Sequence, residues 1–219
     1  MISYFAKSDI TCYVLHGAKG DLLIDTGLPQ TWHAMEHWLA QYDVRYVLLT
    51  HAHADHDWNA ARLQRRGCRL LLSERDSGLR QHFLAQPEHA TAPRYILRNT
   101  VQRIGGALLR SPRYEPDLWI GSRSGDLLRE LGFDADILPL PGHTLGSVGV
   151  LCGSALYCGD AFTALFGRPD ISPHAHDLAS MKASLRTILT LDIRWLCCGH
   201  GLPVRMQEAR PVIESYLGS

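Results

Sequence analysis

Neither sign of charge is in excess: Lys plus Arg and Asp plus Glu number 22 each among 219 residues. A chain without a net field has no long-range pull on nucleic acid or on an anionic membrane, so any ligand is recognised locally. Long apolar runs are missing too, and no stretch reaches the roughly 18 residues that a membrane-spanning helix requires. The N-terminal segment MISYFAKSDITCYVL has no basic cluster followed by an apolar core, which argues against a secretory signal and for a cytoplasmic protein. Cysteine is present, as Cys12, Cys68, Cys152, Cys158, Cys197 and Cys198, but never as C-x-x-C, so a disulfide framework is not expected and the thiols read as reduced. Repeats, low-complexity tracts and linkers are also absent, and the length suits one domain over 1–219.

What is present is alternation. TCYVLHGAKGDLLIDTG reads as a hairpin ending on Asp25, PQTWHAMEHWLAQ as a helix with Trp32, Met35 and Leu39 on one face, and VRYVLLTH as a strand buried on both sides. AARLQRRG and CRLLLS continue the pattern as helix and strand, the mark of a layered α/β protein. From about residue 74 to 119 the periodicity is helical, with Ser73 and Asp76 as a capping box and Leu97, Val101, Ile104 and Leu108 on one face; this reads as an insertion covering one edge of the domain. Strand signals resume at ADILPLPGHT, VGVLCG, SALYCGDAF and IRWLCCGHG, and a helix carries Leu178, Met181, Leu185 and Ile188 on one face. A last helix is expected to begin near Pro211.

LLTHAHADHDWNAA, residues 48 to 61, places three histidines and two aspartates at the end of a strand. His51 and His53 are two apart, so in an extended segment both imidazoles leave one face and can reach one metal. Asp55 and His56 follow after a bend and can serve a second. His143, Asp160 and His200 also sit just past apolar strand-like runs, where α/β folds gather their sites.

HAHADH at 51 to 56, PGHTLGS at 141 to 147, YCGDAF at 157 to 162, CGHG at 198 to 201 and LLIDTG at 22 to 27 together resemble the ordered motifs of the metallo-β-lactamase superfamily, over about residues 10 to 205. The resemblance implies an αββα sandwich with a dinuclear site on one edge. It further implies that His51, His53 and His143 hold one metal, that Asp55, His56 and His200 hold the other, that Asp160 bridges them, and that Asp25 bonds to the metal-binding loop. Two zinc ions are the expected cofactors, with iron or manganese as alternatives.

Departures narrow the choice. True β-lactamases place a cysteine among the second-metal ligands, whereas this sequence offers Asp55, His56 and Asp160, so antibiotic hydrolysis is disfavoured. Hydroxyacylglutathione hydrolases share all seven ligands but add a C-terminal helical domain, and 19 residues, 201 to 219, follow His200 here. Di-iron electron-transfer members usually carry Glu where this chain has His53, and Trp58 stands where relatives commonly have glycine. The expected activity is a metal-bridging hydroxide attacking the carbonyl of a small thioester, ester or lactone, with Asp55 and Asp160 orienting it. Neither nucleic acid nor membrane is an expected partner. The second reading is a mononuclear iron oxygenase acting on persulfides, whose relatives retain the same motifs.

Other residues read more plainly. Cys158, Cys197 and Cys198 are expected as small buried strand side chains; His174 and His176, a second H-x-H after Asp160, read as a helix-entry loop, with a pocket role as the alternative. The five arginines between Arg94 and Arg113 do not fall on one helical face, so a solvated surface is expected there.

Overall fold

The computed structural model describes residues 2–81, 85–97, 100, 111–122 and 124–218. In chain order its strands are β1 (Ser3–Lys7), β2 (Ile10–Gly17), β3 (Gly20–Ile24), β4 (Val44–Leu48), β5 (Arg69–Ser73), β6 (His89–Ala90), β7 (Leu118–Ile120), β8 (Asp136–Pro139), β9 (Val148–Cys152), β10 (Ala155–Gly159), β11 (Phe162–Thr163), β12 (Asp170–Ile171), β13 (His174–Ala175), β14 (Trp195–Cys198) and β15 (Val204–Arg205). The helices are α1 (Trp32–Leu39), α2 (Ala54–Asp57), α3 (Ala60–Arg65), α4 (Ser77–Gln81), α5 (Leu127–Glu130), α6 (Leu178–Thr190) and α7 (Met206–Gly218).

Two sheets face each other. The first runs β1-β2-β3-β4-β5-β7 and the second β15-β14-β10-β9-β8. Side chains alternate along each strand, so each sheet has an inner and an outer apolar face. Leu22 and Ile24 of β3 join Leu48, Leu71, Val148, Val150 and Tyr157 between the sheets. Leu23 points the other way, with Val47 and Leu70, onto Met35 and Leu39 of α1 and Leu63 of α3. Leu156 and Leu196 of the second sheet meet Met181, Leu185 and Ile188 of α6 and Ala209 and Ile213 of α7. Three apolar interfaces between four layers make the αββα sandwich. No helix among the described residues is long and apolar enough to cross a membrane.

Three local readings are corrected. β1 was not expected; it pairs antiparallel with β2 through a turn in which Ser8 and Asp9 both have positive φ, 56° and 61°, as a tight hairpin demands. The last helix starts at Met206, with Pro211 inside it. Glu208 Oε2 accepts from the Arg205 amide at 3.3 Å and so marks the start, while burial of Met206, Ala209 and Ile213 offsets the amide hydrogen bond that proline cannot make. The 74–119 segment is not uniformly helical: its described residues include 3-10 turns, the short α4, the strand β6 and the start of β7, which pairs with β5. Val101, Ile104 and Leu108 of the expected apolar face lie outside the described residues, and Leu97 is exposed.

Candidate metal centre

Four loops at one edge of the sandwich carry the seven residues. His51, His53, Asp55 and His56 follow β4, His143 follows β8, Asp160 follows β10, and His200 follows β14. The first loop is held from behind by Asp25, in left-handed backbone at φ 61°. Its carboxylate accepts from the Thr50 amide at 2.8 Å, from the Thr50 hydroxyl, and from His56 Nδ1 at 2.9 Å. Aspartate tolerates this backbone better than most residues, and three bonds to the loop offset the strain. Before His143 the chain turns at Gly142, φ 137°, where a Cβ would lie 2.4 Å from the Met181 backbone.

The structure brings all seven residues together. His51, His53 and His143 form one group, His51, His56 and Asp160 a second, and Asp55, His56 and His200 a third, with the potential ligand atoms inside each group within 4.8 Å of one another. Asp160 sits between the rest: Oδ1 is 3.4 Å from His56 Nε2, and Oδ2 is 3.6 Å from His143 Nε2 and 3.2 Å from His200 Nε2. His200 Nε2 is also 3.3 Å from Asp55 Oδ2.

Whether a metal fits can be tested on buried polar atoms that make no hydrogen bond. His51 Nε2, His56 Nε2 and Asp160 Oδ1 are buried without a hydrogen-bond partner. Each such atom costs about 1–3 kcal/mol unless a ligand meets it. Imidazole nitrogens and carboxylate oxygens are the donors that zinc, iron and manganese accept. Gly199 leaves the space open, since a Cβ there would lie 2.5 Å from both Asp160 Oδ1 and His56 Cε1. The residues fit a bound metal.

The electrostatics of the chain alone agree. Burial holds the His51 and His53 imidazoles well below their ordinary range, and neighbouring histidines add to it. Burial also lowers His143, against the pull of Asp160. Burial works against charging His56, but Asp160, Asp25 and Asp55 outweigh it and push His56 up to about 9. The same contest holds Asp160 far below the carboxylate range, with His200 and His56 winning over burial. One end of the site thus favours neutral imidazoles and the other paired ions.

Several further residues adjoin the centre, of which Asp76, Glu88 and Asp57 were not anticipated there and His174 takes up the pocket alternative. Asp76, read as a helix cap, has a fully buried carboxylate that accepts from the Ala52 and Gly146 amides, the Thr144 hydroxyl and the Gln86 side chain. Only the Ser73 half of the expected cap forms, through the Arg75 amide. Glu88, also buried, places Oε1 3.2 Å from His53 Nε2. His174 is buried beside His143, with ring centroids 5.1 Å apart, and is held down to about 3 by that burial and by His143. His176 Nδ1 reaches the Pro87 carbonyl at 2.9 Å. Asp57 accepts from the Ser111 and Tyr114 hydroxyls, and burial pushes it up to about 6. No local pattern announces Glu88 or Asp57, because their partners lie 35 and at least 54 residues away. Cys158, Cys197 and Cys198 are buried and Cys158 packs in the outer core, as expected. Trp58 has ordinary helical backbone, φ −54° and ψ −40°, so the position has no need of glycine.

A family model for the metallo-beta-lactamase superfamily matches residues 7–200. The chain belongs to this superfamily. The hydroxyacylglutathione hydrolase GloC of Haemophilus influenzae is 33% identical over 166 residues, covering 73% of this chain and 69% of GloC. An uncharacterized protein of Mycobacterium tuberculosis is 34% identical over 103 residues, 47% of this chain. That match spans only 41% of the mycobacterial protein's length. The fold is shared with solved members of the superfamily: the BLEG-1 B3 metallo-beta-lactamase at a TM-score of 0.70 and 22% identity, with both chains fully covered. TTHA1623, solved in a di-iron-bound form, aligns at 0.66 and 23% identity over 97% of this chain and 98% of its own.

Proposed function

We propose that this member of the superfamily is a two-metal hydrolase of small acyl substrates, namely thioesters, esters or lactones. The observation that carries the reading is the convergence of five histidines and two carboxylates whose inward atoms include His51 Nε2, His56 Nε2 and Asp160 Oδ1, buried and unsatisfied. Two divalent ions in such donor sets supply a nucleophilic water at neutral pH and a positive centre for the oxygen of a carbonyl under attack.

The chain's own residues supply the rest. Asp55 has a side chain 31% exposed and His200 17%, whereas His51, His53, His56, His143 and Asp160 are buried, so the site opens on the Asp55–His200 side. Asp55 is held well below the carboxylate range, because His56 and His200 outweigh its burial. An ionised Asp55 accepts and does not donate, so its carboxylate orients the O–H of a water entering from solvent. Asp160, ionised and buried, stays fixed between the two donor groups.

The 33% identity to GloC supports an acyl thioester, the substrate type in that enzyme's name. Zero formal net charge gives no general attraction for a polyanion, which speaks against nucleic acid. Asp55, His56 and His200 offer donors for a second metal, and because iron oxygenases of this fold retain the same motifs, metal content decides between the two readings. The test pairs metal quantification on freshly purified protein with a panel of thioesters, aryl esters, lactones and phosphodiesters. Turnover of at least one acyl substrate, abolished in His53→Ala, is expected. Phosphodiester turnover with every acyl substrate inert overturns the reading, as does iron with oxygen consumption.

A further inference from the structure

Each histidine of the centre has one ring nitrogen turned inward and one turned to an oxygen behind it. The Nδ1 atoms of His51, His56, His143 and His200 lie 3.1, 2.9, 3.0 and 3.1 Å from Thr50 Oγ1, Asp25 Oδ2, the His174 carbonyl and the Asp9 carbonyl. Their Nε2 atoms face the centre. His53 is turned around: its Nδ1 points inward, 3.0 Å from His143 Nε2, and its Nε2 points outward to Glu88 Oε1 at 3.2 Å. A neutral imidazole carries a single proton, so the oxygen behind the ring decides which nitrogen offers its lone pair.

The oxygens facing these rings from behind include two carboxylates. Asp25 serves His56, in the groups that contain Asp160 and Asp55, and belongs to a motif the sequence made legible. Glu88 serves His53, in the group with His51 and His143, and comes from the 74–119 segment. It is 3% exposed, and it immediately precedes β6, which pairs with β13. His174 opens β13 and gives its carbonyl to His143 Nδ1. One small ribbon therefore backs two of the three histidines of a single group. Thr91, just past β6, ties the ribbon to the Ser172 carbonyl through its hydroxyl at 2.6 Å.

We infer that Glu88 is a positioning residue for the first metal: its buried carboxylate, 3.2 Å from His53 Nε2, is placed to take that proton, to keep Nδ1 turned inward, and so to set the affinity of the His51–His53–His143 group. The 74–119 segment, on this view, supplies part of the centre's support. His174 Nε2 is 3.9 Å from the same Glu88 oxygen, beyond hydrogen-bond length, so it does not share the role in this geometry.

The inference rests on the two-metal reading, and the test separates their failures. Zinc affinities are measured by competition with a chromophoric chelator for wild type, Glu88→Gln and Glu88→Ala, with circular dichroism of each metal-free protein as the check on folding. Cobalt(II) titrations then report ligand geometry independently of turnover. The expected result is a first-site affinity reduced about 10- to 100-fold in Glu88→Ala and less in Glu88→Gln, whose amide oxygen can still accept. The second site should change less, and the first cobalt spectrum should be altered. Wild type binding two ions and Glu88→Ala binding both within threefold, with an unchanged cobalt spectrum, overturns the inference and leaves the two-metal reading standing. Wild type binding no metal overturns both. If Glu88→Ala does not fold, Glu88→Gln decides: an unchanged first-site affinity and spectrum there overturns the inference.

Discussion

Replacing Asp76 by alanine should destabilise the metal-free protein by about 2–6 kcal/mol. Oδ1 of Asp76 accepts from the Gly146 amide at 2.8 Å and the Gln86 amide at 3.0 Å; Oδ2 accepts from the Thr144 hydroxyl at 2.8 Å and the Ala52 amide at 3.2 Å. Thr144 keeps Ser147 Oγ as a partner at 2.8 Å, but the two backbone amides lose theirs. Each orphaned buried donor costs about 1–3 kcal/mol, which gives the range stated. Against a typical total of about 5–15 kcal/mol this is a large fraction. In a chain of this size each kcal/mol moves the midpoint by about 2–4 °C, so a fall of about 4–24 °C is expected. Asp76→Asn keeps one acceptor oxygen and should fall between wild type and Asp76→Ala. Scanning calorimetry with excess chelator reads the effect without a contribution from bound metal. A midpoint for Asp76→Ala within about 2 °C of wild type would refute the reasoning, because it would mean that solvent or a shifted side chain satisfies both amides.

Other expectations concern the centre itself. Wild type should take up about two ions per chain under saturating zinc, and Asp160→Ala, which touches both donor groups, should lose more metal than His56→Ala; elemental analysis after gel filtration measures both. Gly199→Ala should weaken metal binding at least tenfold with little change in far-ultraviolet circular dichroism, because its Cβ would lie 2.5 Å from Asp160 Oδ1. Burial lifts Asp57 from 3.8 to about 6, so the folded chain binds more protons than the unfolded one in that window. The resulting stability is fully present below about pH 4 and lost as pH rises to about 6, where wild type should have lost up to about 3 kcal/mol relative to Asp57→Asn. Urea unfolding of both proteins with chelator between pH 4 and 7 checks the sign, and a difference independent of pH rules it out.

The seven donor residues were legible because each follows an apolar strand, and a strand end fixes where a side chain emerges before its partners are known. Asp25 was placed at a strand end by the pattern, but its bonding to the loop came only from the resemblance of LLIDTG to a family motif. Glu88 was not legible: it stands in a stretch without periodicity, and its role depends on β6 meeting β13, a pairing between His89–Ala90 and His174–Ala175 that no local rule encodes. Asp76 misled because Ser-x-x-Asp also spells a helix start, and the demand of two buried loop amides outweighed it. At Pro211 the propensity was correctly read and overruled by burial of the flanking apolar face.

The donors that meet at one edge are far apart along the chain. During synthesis His51, His53, Asp55 and His56 leave the ribosome first, and His200 follows after roughly 150 more residues, about 10–30 s later at ordinary elongation rates. For that interval the nascent chain displays a partial set of imidazoles, open to whatever divalent ion is most available and to the most competitive one in particular. The second sheet supplies His143, Asp160 and His200 only as its strands β8, β10 and β14 are made. The full donor set therefore exists only once β14 has been made, and a metal that needs His200 beside Asp55 and His56 is held only after that point.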